Sequence, residues 1–186
     1  MSGWRRKRSI MRRYNVTAGI YDMRYAQEQS AKIEAALRTA HINKNSTVLD
    51  AGCGTGVLFG HIADKAGMVV GVDFSKSSLL EAKKRALHHE NISLVLADVE
   101  NLPFCCLFEV VFTMTVLQNA PDPQRLLREL RRATADQGIS VVSGLKKIFS
   151  KQSFLDLLSD VGLKVDVLED EDNLKCYVAV CSLRHH

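Results

Sequence analysis

The sequence has no apolar run close to the roughly 18 residues that a membrane-spanning helix requires. Its first residues are basic, but no apolar segment of the kind found in secretory signal peptides follows them. These two absences argue against a membrane partner and predict a cytoplasmic protein.

Cysteine and histidine lack the spacing of metal ligands. The five cysteines form no CxxC pair, and their odd number fits reduced thiols better than a set of disulfides. The six histidines show no zinc-ligand spacing either. We therefore predict no metal site.

Proline is scarce, with three residues in 186, and neither an internal repeat nor a low-complexity stretch suggests a linker. An apolar fraction of 46% and a charged fraction of 25% are typical of one globular domain, which we assign to residues 14–186. Residues 1–13 form a predicted basic tail, and residues 1–24 hold seven of the 25 basic residues but one of the 21 acidic ones. Such a tail would contact nucleic acid or an acidic partner, or would be a solvated segment that aids solubility.

Glycine is concentrated in one place, the stretch "VLDAGCGTG" from Val48 to Gly56. Val48 and Leu49 predict a buried strand, and the glycines that follow allow a tight turn whose backbone can touch a ligand. The helical spacing of "VLFGHIADKAG" then predicts a helix that stops at Gly67. A strand that enters a helix in this way exposes backbone N–H groups and the positive end of a helix dipole.

Strands and helices alternate along the rest of the chain. Besides the strand ending at Asp50, predicted strands cover residues 68–73, 92–98, 109–115, 139–144, 163–169 and 174–183, and predicted helices cover residues 26–40, 76–89, 123–134 and 151–160. Ser75 and Asp122 are expected to cap two of the helices. The pattern predicts an α/β fold with a mostly parallel sheet covered on both faces, and the acidic turn "DEDN" predicts a final antiparallel hairpin.

Carboxylates close three successive predicted strands. A dinucleotide-binding turn would be spaced GxGxxG, whereas this chain has GxGxG preceded by Asp50, an acid that would repel a pyrophosphate and tolerate a cation. Asp73 follows at a spacing that suits ribose hydroxyls, and Asp98 closes the third strand beside the same crevice. These acids favour an adenosine that carries positive charge.

In order and spacing, "VLDAGCGTG", "VVGVDFS", "LVLADVENLPF" and "FEVVFTMTVLQNAPDPQRLLREL" resemble the motifs of class I S-adenosylmethionine-dependent methyltransferases. The resemblance covers about residues 14–182. It implies a Rossmann-like, doubly wound seven-stranded sheet of order 3-2-1-4-5-7-6 with strand 7 antiparallel. It also implies that the protein is an enzyme with S-adenosylmethionine as its cofactor.

The resemblance assigns cofactor-binding roles by position. The turn of Gly52, Gly54 and Gly56, after Asp50, would lie under the methionine part. Asp73 would hold the ribose, against the alternative of a helix-capping role, with Phe74 on the adenine. The remaining expected contacts are Asp98 and the Val99 N–H at the adenine, Thr113 and Met114 near the sulfonium, and Tyr21, whose alternative is a helix-packing tyrosine.

The acceptor is less defined. "LQNAPDP" lacks the Asn/Asp-Pro-Pro-aromatic stretch of relatives that methylate exocyclic amines of adenine or side-chain amides, which argues against those substrates. "GLKKIFSKQ" is too short for a lid, and the open site that results favours a large acceptor, which we expect to be RNA (tRNA or rRNA). Small-molecule and protein acceptors are the alternatives, and a non-catalytic binding protein is the alternative of another class. An arginine stripe would be a solvated face or would meet phosphates: Arg125, Arg128, Arg131 and Arg132. No catalytic residue is assigned.

The third strand, "ISLVLAD", lies at a sheet edge in this strand order. Its apolar side chains include no lysine or proline to discourage pairing. Some RNA- and protein-modifying relatives bind a small zinc-binding activator protein at this edge. We therefore predict strand addition by such a partner or by a second copy, unless a loop or the N-terminal segment covers the edge.

Overall fold

A computed structural model describes residue 8 and residues 28–105 and 107–184. Apart from residue 8, the predicted basic tail lies outside these residues, and so does Tyr21. Residues 28–39 are helical and are called α1 here. The strands are β1 Thr47–Ala51, β2 Met68–Asp73, β3 Ile92–Leu96, β4 Phe108–Thr113, β5 Thr134–Leu145, β6 Leu163–Glu169 and β7 Cys176–Leu183. The other α-helices are α2 Phe59–Ile62, α3 Lys76–Ala86, α4 Pro123–Ala133 and α5 Lys151–Asp160, and a 3₁₀ turn covers Leu117–Asn119.

The seven strands form one sheet in the order β3-β2-β1-β4-β5-β7-β6. β1 to β5 pair in parallel, and β7 runs antiparallel to β5 and β6. The predicted strand order and the terminal hairpin are therefore confirmed. In such a sheet, the carboxyl ends of β1, β2 and β4 meet at one edge, where ligands bind in doubly wound folds.

Apolar side chains cover both faces of the sheet. Ile33 of α1, Phe59 of α2 and Ala82 of α3 pack on one face. Leu127 of α4 and Phe154 of α5 pack on the other. Each helix thus buries one apolar stripe against the strands, which is the packing that the alternating pattern predicts.

Two predicted helix starts are confirmed by their caps. The Ser75 hydroxyl accepts the Ser78 N–H, and the Asp122 carboxylate accepts the Arg125 N–H at 2.9 Å. Pro123 occupies the first turn of α4, where its missing N–H costs nothing.

The predicted helix after the glycine turn is wrong in length, because α2 is helical only over Phe59–Ile62. The residue before it, Leu58, offers no side chain to cap the free N–H groups, and Gly56 lies just upstream with φ of 78°. Both features oppose an early helix start.

Several predicted strand bounds also differ from the structure. β3 ends at Leu96, so that Asp98 lies in a loop, and β4 ends at Thr113. β5 starts at Thr134, where the polar "TADQG" pairs with β4 through an irregular register. Polar side chains and Gly138 hide this segment from a pattern search.

Gly71 of β2 is required by packing. A Cβ added there would lie 2.6 Å from the ring of buried Phe59 and 3.0 Å from Leu94. Gly71→Ala is therefore expected to lower the free energy of unfolding by about 1–3 kcal/mol, as overpacked core substitutions do. Denaturant titration measures this loss.

Gly60→Ala is the matched control, because nothing lies within 4 Å of a Cβ added on this residue of α2. The substitution is expected to raise the free energy of unfolding by up to about 1 kcal/mol, through helix propensity. Equal effects of the two substitutions would contradict the packing account.

Candidate functional site

The glycine turn is bound to the end of β2 by its own backbone. The N–H groups of Gly52 and Cys53 donate to the Val72 carbonyl at 2.7 and 2.9 Å. Gly52 and Gly54 have φ of 83° and 54°, a region that side chains with a Cβ rarely adopt. The two positions differ in space, because a Cβ on Gly52 would clash with Val116 at 2.4 Å, whereas Gly54 has nothing within 4 Å.

Asp73 joins this turn to α3. Its carboxylate accepts the Gly54 N–H at 2.9 Å and the Ser75 N–H at 2.8 Å, and the residue is 7% exposed. Burial raises the pKa of Asp73, while the N–H groups of Ser75, Gly54 and Phe74 oppose that rise. Ser75 is the N-cap of α3, and Asp73 supports this helix start by accepting the Ser75 N–H.

A cavity of about 140 Å³ lies beside the turn, at the carboxyl ends of the strands. Seven of the predicted site residues line it: Asp50, Gly52, Gly54, Asp73, Phe74, Asp98 and Val99. Met114 lines it as well. The sequence therefore predicts eight of the residues that line the cavity.

Two predicted site residues lie outside the cavity lining. Thr113 is fully buried, and its hydroxyl donates to the Ala51 carbonyl at 3.0 Å, so this side chain ties β4 to β1. A Cβ on Gly56 would meet the Phe59 ring at 2.5 Å, so Gly56 serves the packing of α2. The Thr113 side chain therefore does not line the cavity, and its expected place near a bound sulfonium stays a prediction.

Asp50 is the most deeply buried acid in the lining, with 3% exposure. Burial, and secondarily the charge of Asp73, raises the pKa of Asp50 to about 7. A cation in the cavity would favour the ionised form of this carboxyl.

The loops after β3 and β4 complete the cavity. Glu100 is 4% exposed, and its carboxylate accepts the Asp122 N–H at 3.1 Å, which fixes the start of α4. The Asp98 carboxylate accepts the Glu100 N–H at 3.0 Å. Thr115, after β4, has φ of 67° and is the only residue other than glycine with positive φ among the described residues.

The lining residues that sequence reasoning missed include Gln29, Glu100 and Thr115. A positive φ at a β-branched residue leaves no sequence signal. Gln29 lies on a helix distant in sequence from the motifs. Glu100 is near "LAD", but its role depends on where α4 begins.

The charge of the cavity is one-sided. Its described lining includes the four acids Asp50, Asp73, Asp98 and Glu100, and no lysine, arginine or histidine. Open space over Gly54, a carboxylate at the end of β2 and an acidic lining fit a cationic adenosine such as S-adenosylmethionine. Across the described part of the chain, no group of three His, Cys, Asp or Glu side chains is placed to hold a metal ion.

Two of the four arginines on α4 donate to backbone carbonyls. Arg125 donates to the Glu100 carbonyl at 2.8 Å, and Arg132 donates to the Leu102 carbonyl at 2.7 Å. The predicted stripe is therefore not uniformly solvated. In the described ranges, no helix is long and apolar enough to cross a membrane.

Comparison with known proteins gives a consistent result. The family model described as "Methyltransferase domain" matches residues 42–176. The chain is 34% identical to the demethylmenaquinone methyltransferase of Staphylococcus epidermidis over 109 residues, which are 56% of this chain and 45% of the relative. It is 29% identical to the ubiquinone biosynthesis O-methyltransferase of Glaesserella parasuis over 124 residues, 60% of this chain and 52% of the relative. The chain thus spans about half the length of these relatives.

Among solved structures, a complex between the Haloferax volcanii Trm112 methyltransferase activator and a methyltransferase contains a similar fold. The TM-score is 0.81 at 18% identity, and the match covers 92% of this chain and 98% of that one. At this identity, the likeness establishes the fold.

Asp50 makes the stability of the ligand-free protein depend on pH. Its folded-state pKa of about 7 lies above the ordinary value of 3.8, so the folded protein keeps a proton that the unfolded chain has lost. Stability due to this group is therefore present at low pH and is lost as the pH rises between these two values, by up to about 1.4 kcal/mol per pH unit.

Asp50→Asn removes that titration. The difference in melting temperature between Asp50→Asn and the parent is expected to grow in favour of the variant across this pH window and then to level off, as measured by calorimetry. A difference that does not change with pH would contradict the assignment.

Proposed function

Because this chain belongs to the methyltransferase-domain family, whose model matches residues 42–176, we propose that it transfers the methyl group of S-adenosylmethionine to a small organic acceptor. When bound, S-adenosylmethionine supplies a methyl group on a positively charged sulfur, which is already an electrophile. The observation that carries the proposal is the glycine turn held by Asp73 over a cavity lined by acids.

The residues around the turn would hold the cofactor. Asp73 has oxygen lone pairs beyond the two that accept N–H groups, and these would accept ribose hydroxyls. Asp98 and the Val99 N–H would bind the adenine edge, with Phe74 on its face. Asp50 would face positive charge.

The main work left to the protein is to hold the acceptor in line and to keep the site dry. Orientation of this kind supplies on the order of 7–11 kcal/mol. The polar or apolar residues of the lining that carry no charge include Gln29, Met114, Thr115 and Asn119. These uncharged lining residues would position the acceptor.

A small acceptor is favoured over RNA by two observations. Two arginines of the α4 stripe are already bound to backbone carbonyls. The names of the two relatives refer to small quinones, demethylmenaquinone and ubiquinone. RNA remains the second candidate, supported by the basic residues 1–13 and by the fold shared with a protein bound to the Trm112 activator.

Asp73→Asn tests the cofactor site. Loss of charge-assisted hydrogen bonds is expected to lower the affinity for S-adenosylmethionine roughly tenfold or more, measured by calorimetry. Because Asp73 also binds the Gly54 and Ser75 N–H groups, this variant is also expected to melt at a lower temperature without ligand. Asp64→Asn is the control, since the Asp64 side chain is 90% exposed.

The same variants show which acceptor is used. The protein is incubated with tritiated S-adenosylmethionine and with separate small-metabolite, RNA and protein fractions. We expect label in the small-metabolite fraction with the parent and Asp64→Asn, and little with Asp73→Asn. Label in RNA would overturn the small acceptor, and affinity that is unchanged in Asp73→Asn would overturn the cofactor site.

We also propose that the β3 edge binds a small zinc-binding activator protein by strand addition. In the described part of the chain, β3 pairs with β2 and with no other strand. Leu96 at its end is 60% exposed. Leu80 of α3, the helix in contact with β3, and Leu87, which follows that helix, are 54% and 73% exposed. Apolar exposure beside an unpaired edge is the surface that strand addition covers.

Leu96→Lys is expected to abolish this association. A matched control is Leu107→Lys, because Leu107 precedes β4 and is 56% exposed. Each variant is co-expressed with the Haloferax volcanii Trm112 activator and examined by size-exclusion chromatography with light scattering. The parent and Leu107→Lys should elute with the activator and Leu96→Lys without it. Equal behaviour of the two variants would contradict the edge as the interface, and a dimer of the parent alone would favour self-pairing.

A further inference from the structure

A buried lysine contacts one of the uncharged residues of the cavity lining. Lys32 of α1 is 3% exposed, and its Nζ donates to the Thr115 hydroxyl at 2.8 Å. Glu28 lies 3.8 Å from the same ammonium. A buried lysine is stable only with partners for its charge, and one of these partners is a residue of the cavity lining. This contact connects Lys32 to the cavity.

Thr115 is held rigidly from several sides. Its N–H donates to the Ser143 hydroxyl at 2.7 Å, and its carbonyl accepts the side-chain amides of Gln118 and Asn119 at 2.9 and 3.1 Å. With φ of 67°, it adopts a conformation that β-branched residues rarely adopt. Strain of this kind persists where the surroundings enforce it, and it is concentrated at functional sites.

The Thr115 hydroxyl is left as a donor. Because the Thr115 oxygen accepts a hydrogen bond from Lys32, the hydroxyl hydrogen must point to another acceptor. Gln29 Oε1 lies 3.4 Å away, which is long for an O–H···O bond. Gln29 and Thr115 both line the cavity. An oxygen of a ligand can therefore replace this weak partner, and the ammonium behind the hydroxyl polarises it as a donor.

The groups that face Lys32 come from three elements. Glu28 lies on its own helix, Thr115 follows β4, and Lys175 and Cys176 lie at the start of β7. Burial lowers the pKa of Lys32, whereas the charge of Glu28 opposes that effect. Four acids thus line the cavity, and a buried cation contacts Thr115, another residue of the lining.

We infer that the acceptor binds with an ionised oxygen, as in a phenolate, an enolate or a carboxylate, which accepts a hydrogen bond from the Thr115 hydroxyl, while Lys32 donates to that hydroxyl. This inference rests on the proposed function and narrows its substrate class. Thr115 contacts the acceptor, and Lys32 is a positioning residue that acts through Thr115. An acceptor that enters ionised brings its own lone pair, so no side chain has to remove a proton.

The test uses 4-nitrophenolate as the probe and 4-nitrotoluene as its uncharged counterpart, both added to the complex of the whole chain with S-adenosylhomocysteine. At a mildly alkaline pH where the phenol is ionised, the parent is expected to bind the phenolate roughly tenfold tighter than the toluene, because hydrogen bonds to a charged group are the stronger kind. Equilibrium dialysis measures both affinities.

Variants of the two residues separate the charge from the hydroxyl. Lys32→Met and Thr115→Val are expected to abolish the preference for the phenolate, whereas Thr115→Ser, which keeps the hydroxyl, retains it. Thr115→Val leaves the Lys32 ammonium without its acceptor, so the double variant K32M/T115V is the folded reference: it removes both partners and is expected to melt above Thr115→Val.

Each outcome decides the inference. A parent that binds neither probe or shows no preference overturns it, as does an undiminished preference in Lys32→Met or in K32M/T115V. Binding of S-adenosylhomocysteine is measured first. Its absence in the parent overturns the proposed function, whereas its presence without a phenolate preference overturns the inference alone.

Discussion

The site depends on one carboxylate that binds two backbone N–H groups. Asp73, at the end of β2, accepts the Gly54 N–H at 2.9 Å and the Ser75 N–H at 2.8 Å, so it fixes the turn after β1 and the start of α3 together. A buried carboxylate is stable there because those donors replace water. The same anchoring leaves the cavity side of Gly54 open. Ligand-binding geometry and local fold therefore share one interaction.

Charges of both signs lie at the cavity. Four carboxylates line it, from the ends of β1 and β2 and from the loop after β3, and the buried ammonium of Lys32 donates to the hydroxyl of Thr115 in the lining. Burial holds the pKa of Asp50 at about 7, so a cation near it would promote ionisation near neutral pH. In the proposed function, a methyl donor with a positively charged sulfur would bind near the four acids, and an electron-rich acceptor near Thr115. Among the described residues, no group of three His, Cys, Asp or Glu side chains is placed to hold a metal ion.

Periodicity and capping predicted the fold well, because each strand and helix buries an apolar pattern of its own period. The bounds of β2, α5 and β6 agree with the prediction to the residue. Spacing placed the glycine turn, Asp50, Asp73 and Asp98 beside one crevice, and they line one cavity because their positions are local to strand ends. Thr113 does not line that cavity, because spacing along β4 does not say which side chains face it. Lys32 and Thr115 carry no local signal: 83 residues separate them, and only the packing of α1 beside β4 brings them together.

The central claim is that the turn held by Asp73 is the cofactor site. A crystal structure of the protein with S-adenosylhomocysteine tests it most directly. We predict ribose density at the Asp73 carboxylate, adenine density beside Phe74 and Asp98, and an Asp73 side chain that keeps its bonds to the Gly54 and Ser75 N–H groups. Ligand density elsewhere on the protein, or a ribose that does not contact Asp73, would contradict the account.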